Sequence, residues 1–422
     1  PMEVWTETLR IKHEEGFREE QATFRATRHG PVFTNSRGEP FAAGLAGWDN
    51  AQALEQFWRM NLARSARQFK AALALDRLSY FNLMWASAGG HIGYVQLGDV
   101  PLRPAGLDWT RQIPGWTSAT LYRGQVPFTQ LPQVEDPPTH FLQNCNTAAN
   151  VVTPGLTFTP RDFPPGVLYG HYGAYRARGQ RATQLLSAAK KLDVEAARRL
   201  VFDTYSPPAD LWIPILLAAV EEAHNPLPLR EAAKLLKTWD RHVDRDSPGA
   251  TLFRFWRLHC AALPRSEAGR DAFTIKDTPE LRKDALQALE AAVGDLKKRY
   301  GRLAIPWGEI KRLKRGDQEW PLSGDGLGEL GLDTLRATAG AQLNPANKMI
   351  IGGGQSTIGL VFLGEEPEIH AVVAFGQSNR PDSRHFADQA PLYANHQLRR
   401  VPWNEKAIRA QVTEQRTISS VP

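Results

Sequence analysis

Cysteine is almost absent from this chain. Its 422 residues include only Cys145 and Cys260, which excludes a disulfide framework and any zinc site made of cysteines alone. The eleven histidines are scattered. They show no His-Glu-x-x-His or His-x-His spacing, so no metal is expected on this chain. No run of about 18 uncharged apolar residues occurs, so no membrane span is expected. The longest apolar stretch, Leu211 to Val220, is too short and contains Pro214. The opening residues, Pro1-Met2-Glu3-Val4-Trp5, lack the basic and apolar regions of a secretory signal. They read like the middle of a protein entering a strand. Nor does the chain open with Ser, Thr or Cys, the residues able to act as an N-terminal nucleophile.

Other signatures are missing too. Ile351-Gly352-Gly353-Gly354-Gln355 lacks the Gly-Lys-Ser/Thr ending of a phosphate loop. No Gly-x-Ser-x-Gly elbow surrounds Ser378, which weighs against a triad of Ser378, His385 and Asp388. The net charge of +6 is spread over the chain. Its densest basic cluster, Lys311-Arg312-Leu313-Lys314-Arg315, lacks interleaved aromatics. It reads as a solvated surface, with no nucleic-acid partner expected.

What remains is the composition of an ordinary globular protein, 42% hydrophobic and 23% charged. The length allows about two to three domains. Alternation at Trp5, Glu7, Leu9 and Ile11, a turn at Glu14-Glu15-Gly16 and a run to about Phe33 predict a hairpin or meander. Helical spacing predicts one helix over 50–75. Residues 81–95 return to strand, broken by a turn at Gly89-Gly90, and 101–138 form a long ordered connection. Residues 180–300 are mostly helical. Within them, Thr278, Pro279 and Glu280 read as cap, first position and first turn of a helix. Strands return after Ile305, most clearly at 357–363 and 369–375. Strands, then helices, then strands predict an α+β fold. The polar run from Gly376 to Gln389 either lines a cleft or is a loop pinned by its own side chains.

One short segment carries candidate chemistry. Gln143-Asn144-Cys145-Asn146 follows the acidic, proline-rich Glu135-Asp136-Pro137-Pro138. On an extended segment, Asn144 and Asn146 would aim both carboxamides the same way, with Cys145 opposite as a packing residue. Carboxamide N–H groups do not titrate and can hold a developing oxyanion. The competing reading is an Asx turn whose side chains bond their own backbone.

Taken in order, these pieces resemble the penicillin acylase (penicillin amidase) family of N-terminal-nucleophile hydrolases. The branch most resembled contains aculeacin A acylase and the acyl-homoserine-lactone acylases. The matching residues are Thr27-Arg28-His29-Gly30-Pro31-Val32, Gly93-Tyr94, Pro114-Gly115-Trp116, Val126-Pro127-Phe128, and Pro137-Pro138 running into Gln143 to Asn146. Pro306-Trp307-Gly308-Glu309, Arg315-Gly316-Asp317, Gly376-Gln377-Ser378 and His385 with Asp388-Gln389 complete the set.

The resemblance implies a four-layer αββα sandwich with a helical insertion. It divides the chain into a β-rich part at 1–179 holding the oxyanion motif, a helical block at 180–304, and core-returning strands at 305–422. It implies hydrolysis of an amide such as an N-acyl-homoserine lactone or a lipopeptide, through an acyl-serine on a self-processed chain. A β-lactam acylase and a non-catalytic scaffold of the same fold are the alternatives. Asn146 becomes the oxyanion-hole side chain and Asn144 its support. Arg178, with Arg176 as competitor, stands near the nucleophile's amine, and His385 is a possible supporting residue. The nucleophilic serine falls outside the sequence. The expected partners are therefore a small-molecule amide substrate and the rest of the precursor carrying that serine. No cofactor is implied, and any calcium ligands of the full protein lie outside this chain. The implied location is periplasmic or secreted.

Overall fold

The computed structural model describes residues 2–417 apart from 15, 48–49, 80, 169–176, 225, 263–274, 327–330, 341 and 416. The chain forms two compact units, 1–174 and 175–422.

The first unit is built mainly from strands. Period-two alternation produces β1 (Glu3–His13) and β2 (Gly16–Thr27), an antiparallel hairpin that sets Trp5 opposite Phe24. The two rings stack at 5.7 Å. β3 (Gly30–Thr34) and β4 (Pro40–Ala42) extend the sheet in chain order. Gly30 has φ +126°, and a Cβ there would lie 2.1 Å from the Ala43 carbonyl oxygen, so only glycine fits.

The single helix expected over 50–75 is in fact two, α1 (Ala53–Leu62) and α2 (Ala66–Leu73). Ser65 causes the break. Its extended backbone and side chain cap the second helix, accepting the Gln68 N–H at 3.2 Å. β5 (Phe81–Ala86) and β6 (Ile92–Leu97) form the expected hairpin, and β7 (Gln133–Glu135) joins its far side. At Gly93 a Cβ would stand 2.3 Å from the Trp85 indole. Close packing of that ring on the neighbouring strand therefore needs a glycine there.

The second unit combines helices and strands around shared cores. Its longer helices are α3 (Ala177–Ala188), α4 (Val194–Val201), α5 (Pro207–Glu222), α6 (Leu227–Thr238), α7 (Pro248–Ala262) and α8 (Pro279–Tyr300). α8 starts as expected, with the Thr278 side chain accepting the Leu281 N–H at 3.2 Å, and it ends on left-handed Gly301. Its apolar face packs against α5, α6 and α7 around Trp212 and Trp256, whose rings are 5.0 Å apart. The same core takes in Trp307 from α9 (Trp307–Ile310) and Met349 from a later strand.

β8 (Lys311–Arg315) and β9 (Gln318–Pro321) follow, and then β10 (Thr338–Ala339), β11 (Met349–Ile350) and β12 (Gly353–Gly354). β13 (Thr357–Phe362) and β14 (Glu368–Val373) are the expected antiparallel pair. α10 (Ala390–Ala394) packs on β14, and β15 (Arg399–Val401) pairs with it.

The Lys311–Arg315 cluster is not a solvated surface. Strand alternation turns Lys311 and Leu313 fully inward. Lys311 Nζ meets Asp325 Oδ1 at 2.7 Å, and Arg254 Nε meets Asp325 Oδ2 at 3.0 Å. Burial pushes the Asp325 carboxyl up, but the two cations more than offset it and hold it below the usual carboxylate range.

Candidate active site

The segment carrying the two asparagines is a turn, not a strand. The extended reading fails, and with it the expectation that both carboxamides and Cys145 alternate across a sheet. Asn144 Oδ1 accepts the Asn146 N–H at 3.0 Å, and Asn144 Nδ2 donates to the Thr147 carbonyl at 3.0 Å. This is an Asx turn in which both ends of the Asn144 carboxamide are occupied. It leaves Asn146 in the left-handed region at φ +60° and exposed, while Cys145 is half-buried. Asparagine is one of the few side chains that enters this region at modest cost.

The turn is held on a fixed frame. Asp136 ends β7's approach at φ +43°, and its carboxylate accepts the Ile92 N–H at 2.9 Å and meets His91 Nδ1 at 2.8 Å. The His91 bond, followed by that from Ile92, lowers the Asp136 pKa. Further on, the Gln143 N–H donates to the Val152 carbonyl at 2.7 Å, and its side-chain Nε2 donates to the Val151 carbonyl at 2.6 Å. Thr139 and Thr153 join by their hydroxyls. Just past the turn, Ala148, Ala149 and Val152 are buried against Tyr94 and Leu168. Burial raises the Tyr94 phenol, whose hydroxyl donates to Asn82 Oδ1 at 2.6 Å. Tyr94 also lines a cleft of about 240 Å³ with Leu73, Trp85, Phe128 and the Lys70–Glu135 ion pair.

The other expected residues fall in the second unit or outside the described residues. Arg178 is the second residue of α3 and half-buried. Arg176 lies outside the described residues. His385 is half exposed, with Nδ1 2.8 Å from Asp388 Oδ2 and with Nε2 accepting from Arg384 Nε at 3.0 Å. That places the ring proton on Nδ1.

Ser378 does not complete a triad. Its hydroxyl accepts the Arg380 N–H at 3.1 Å, and only its backbone N–H reaches the His385 carbonyl. The polar run 376–389 is thus pinned by its own side chains. Gly376 permits this, because a Cβ there would stand 2.1 Å from the His385 carbonyl oxygen and 2.5 Å from Asp388. Arg315 adds to the clasp. Its guanidinium stacks over Phe386 at 4.2 Å and Phe375 at 4.7 Å and donates to Asn379 Oδ1 at 2.9 Å. The sequence reading missed this role of Arg315. Its signal was an arginine in a strand with an aromatic just before and another within the polar run.

Among the described residues, no group of three or more His, Cys, Asp or Glu side chains gathers as a metal ligand set.

Known proteins resemble this chain over most of its length. An acyl-homoserine lactone acylase, PvdQ, of Pseudomonas syringae pv. syringae is 25% identical over 90% of this chain and 52% of its own length. The penicillin acylase 2 proenzyme of a Pseudomonas species is 26% identical over 90% of this chain and 51% of its own length. The chain therefore spans about half the length of the curated relatives it matches. Among solved structures, a thermostable penicillin G acylase from Alcaligenes faecalis superimposes with a TM-score of 0.65 at 18% identity. That match covers 100% of this chain and 82% of the other. It shows the fold to be that of this penicillin G acylase, of the expected α+β class. The penicillin amidase family model matches residues 1–410, and with a match of that extent the chain belongs to the penicillin amidase family.

Proposed function

We propose that this chain forms part of the catalytic chain of an amide-hydrolysing acylase. The observation that carries the proposal is the family match across residues 1–410. In the proposed reaction, a serine on the remaining polypeptide of the same precursor attacks the amide carbonyl, and its own α-amine takes the proton. An α-amine suits that task because its usual pKa, about 7.7–8.0, leaves it partly neutral at working pH. The tetrahedral oxyanion then accepts a hydrogen bond from the Asn146 carboxamide. The C–N bond breaks as the amine leaves with a proton. Water next cleaves the acyl-serine ester and releases the acid.

The Asx turn supports this role for Asn146. It presents an exposed, untitratable donor on a segment that Asn144 and Gln143 fix from both sides. Arg178, or Arg176, is proposed to stand near the amine, where a cation disfavours its protonation. His385 has a nearer explanation in the clasp with Asp388 and Arg384, and no reaction step is assigned to it.

The proposed substrate is an N-acyl-homoserine lactone or a lipopeptide side chain, by likeness to relatives named for the former. A penicillin-type β-lactam is the second reading, since another relative is a penicillin acylase. A periplasmic or secreted location goes with this proposal. No helix among the described residues is long and apolar enough to cross a membrane. Incubating the complete protein with long-chain N-acyl-homoserine lactones and, separately, with penicillin G tests the proposal. Release of fatty acid and homoserine lactone supports it. Release of phenylacetate alone moves the substrate to the β-lactams, and turnover of neither these nor an acylated lipopeptide favours the non-catalytic scaffold.

A further inference from the structure

The loop that carries Asn146 is closed twice, one closure inside the other. The inner closure is the Asx turn, in which Asn144 binds the Asn146 N–H and the Thr147 carbonyl. The outer closure is made by Gln143. Its backbone N–H donates to the Val152 carbonyl at 2.7 Å, and its side-chain Nε2 donates to the Val151 carbonyl at 2.6 Å. Nε2 also lies 3.4 Å from Thr147 Oγ1. One residue thus ties the arm entering the turn to the arm leaving it, with Asn146 exposed between them. The leaving arm is anchored in turn, since Ala148, Ala149 and Val152 pack with Tyr94 and Val134. Gln143 is only 4% exposed, although glutamine is mostly a surface residue. The Val151 carbonyl can only accept, which fixes the amide nitrogen on that side and turns Oε1 away. Oε1 is buried and meets no donor among the described residues. Keeping a buried amide with one end unmet is costly, and the two loop bonds at its other end offset that cost.

We propose that Gln143 is a positioning residue for the oxyanion donor: its buried amide closes residues 143–152 beneath Asn146 and sets how closely the Asn146 carboxamide meets the developing charge. This rests on the acylase reading above. Oxyanion donors act by being held in place before the charge forms, and a displacement of about 1 Å can cost about 10²-fold in rate. Asn146 is exposed at the apex, so its placement depends on the two closures beneath it. Gln143 is itself buried and acts through Asn146. Gln143→Glu turns this role into a titration. A protonated carboxyl donates to the Val151 carbonyl as the amide does, whereas a carboxylate only accepts and repels that carbonyl.

The test uses the complete protein with Gln143→Met and Gln143→Glu, each alone and combined with Asn146→Gly. Gln143→Met keeps the length and burial of the side chain, and should lower kcat about 10- to 100-fold with KM little changed. In the Asn146→Gly background it should lower kcat no further, because the donor it serves is gone. Gln143→Glu should approach the wild-type kcat at low pH and fall away from it as the pH rises, each compared with wild type at the same pH. That profile keeps the test decisive if Gln143→Met fails to fold. An unchanged kcat, an equal loss with and without Asn146→Gly, or a Gln143→Glu to wild-type ratio that does not vary with pH would overturn the inference. Hydrogen exchange over 143–152 is read on the same preparations. Gln143→Met should quicken exchange there and not in β5–β6. Turnover with unchanged exchange sinks the role of Gln143 alone, and quickened exchange in a protein whose wild type hydrolyses no amide sinks the acylase reading alone.

Discussion

Asn144 and Asn146 differ in what the fold asks of them. Asn144 spends both ends of its carboxamide on the turn, so Asn144→Ala removes two hydrogen bonds and frees the Asn146 backbone. The expected outcome is a drop in kcat together with a stability loss of about 2 kcal/mol, at about 1 kcal/mol per bond, read by steady-state kinetics beside urea melts. Asn146 presents a different problem. Its φ of +60° means that alanine would add backbone strain to the loss of the amide. Glycine takes the same conformation freely and removes only the amide.

His396 is another residue whose setting determines its behaviour. It stacks on Phe202 at 4.8 Å, and its Nε2 is buried without a hydrogen-bond partner. Burial, then Arg336, Arg245 and Arg198, lowers its pKa to about 4. The folded state therefore binds fewer protons than the unfolded one between pH 6.5 and 4. The stabilisation is complete above pH 6.5 and is lost as pH falls to about 4. Denaturation midpoints should decline through that window, and less so in His396→Asn, which keeps a residue suited to its left-handed φ of +57°.

At the scale of elements, the ion cluster behind β8 is the most sensitive point. Asp325→Ala leaves Lys311 and Arg254 buried without their shared carboxylate, and should cost about 3–5 kcal/mol by chemical denaturation. In the 376–389 loop, Ser378→Ala and His385→Ala should leave kcat near the wild-type value, because the structure gives both a loop-pinning role. A loss of turnover beyond about tenfold in either would revive a serine triad.

Much of the element pattern was legible in sequence. Alternation at Trp5–Ile11, the Thr278 cap and the 357–375 pair all depend on neighbours along the chain. The failures have tertiary or local causes. Ser65 found a better bond as a cap than within a helix. Lys311 followed strand alternation into a core where Asp325, fourteen residues on, neutralises it. Asn144 could satisfy its own loop, so Asn-x-Asn spacing alone did not decide between strand and turn.

At the scale of the molecule, each unit packs its own cores. In the first, Trp5, Leu9 and Phe24 of the hairpin and Leu54, Trp58 and Leu62 of α1 are exposed. The chain spans about half the length of its relatives. The proposed chemistry is divided in the same way, with the oxyanion donor in this sequence and the nucleophile in the remainder. The most direct test is therefore kcat for N-acyl-homoserine lactone hydrolysis by the complete protein carrying Asn146→Gly, with the melting temperature measured alongside. Loss of one oxyanion donor predicts a fall of about 10²–10³-fold at an unchanged melting temperature. An unchanged kcat would contradict the account.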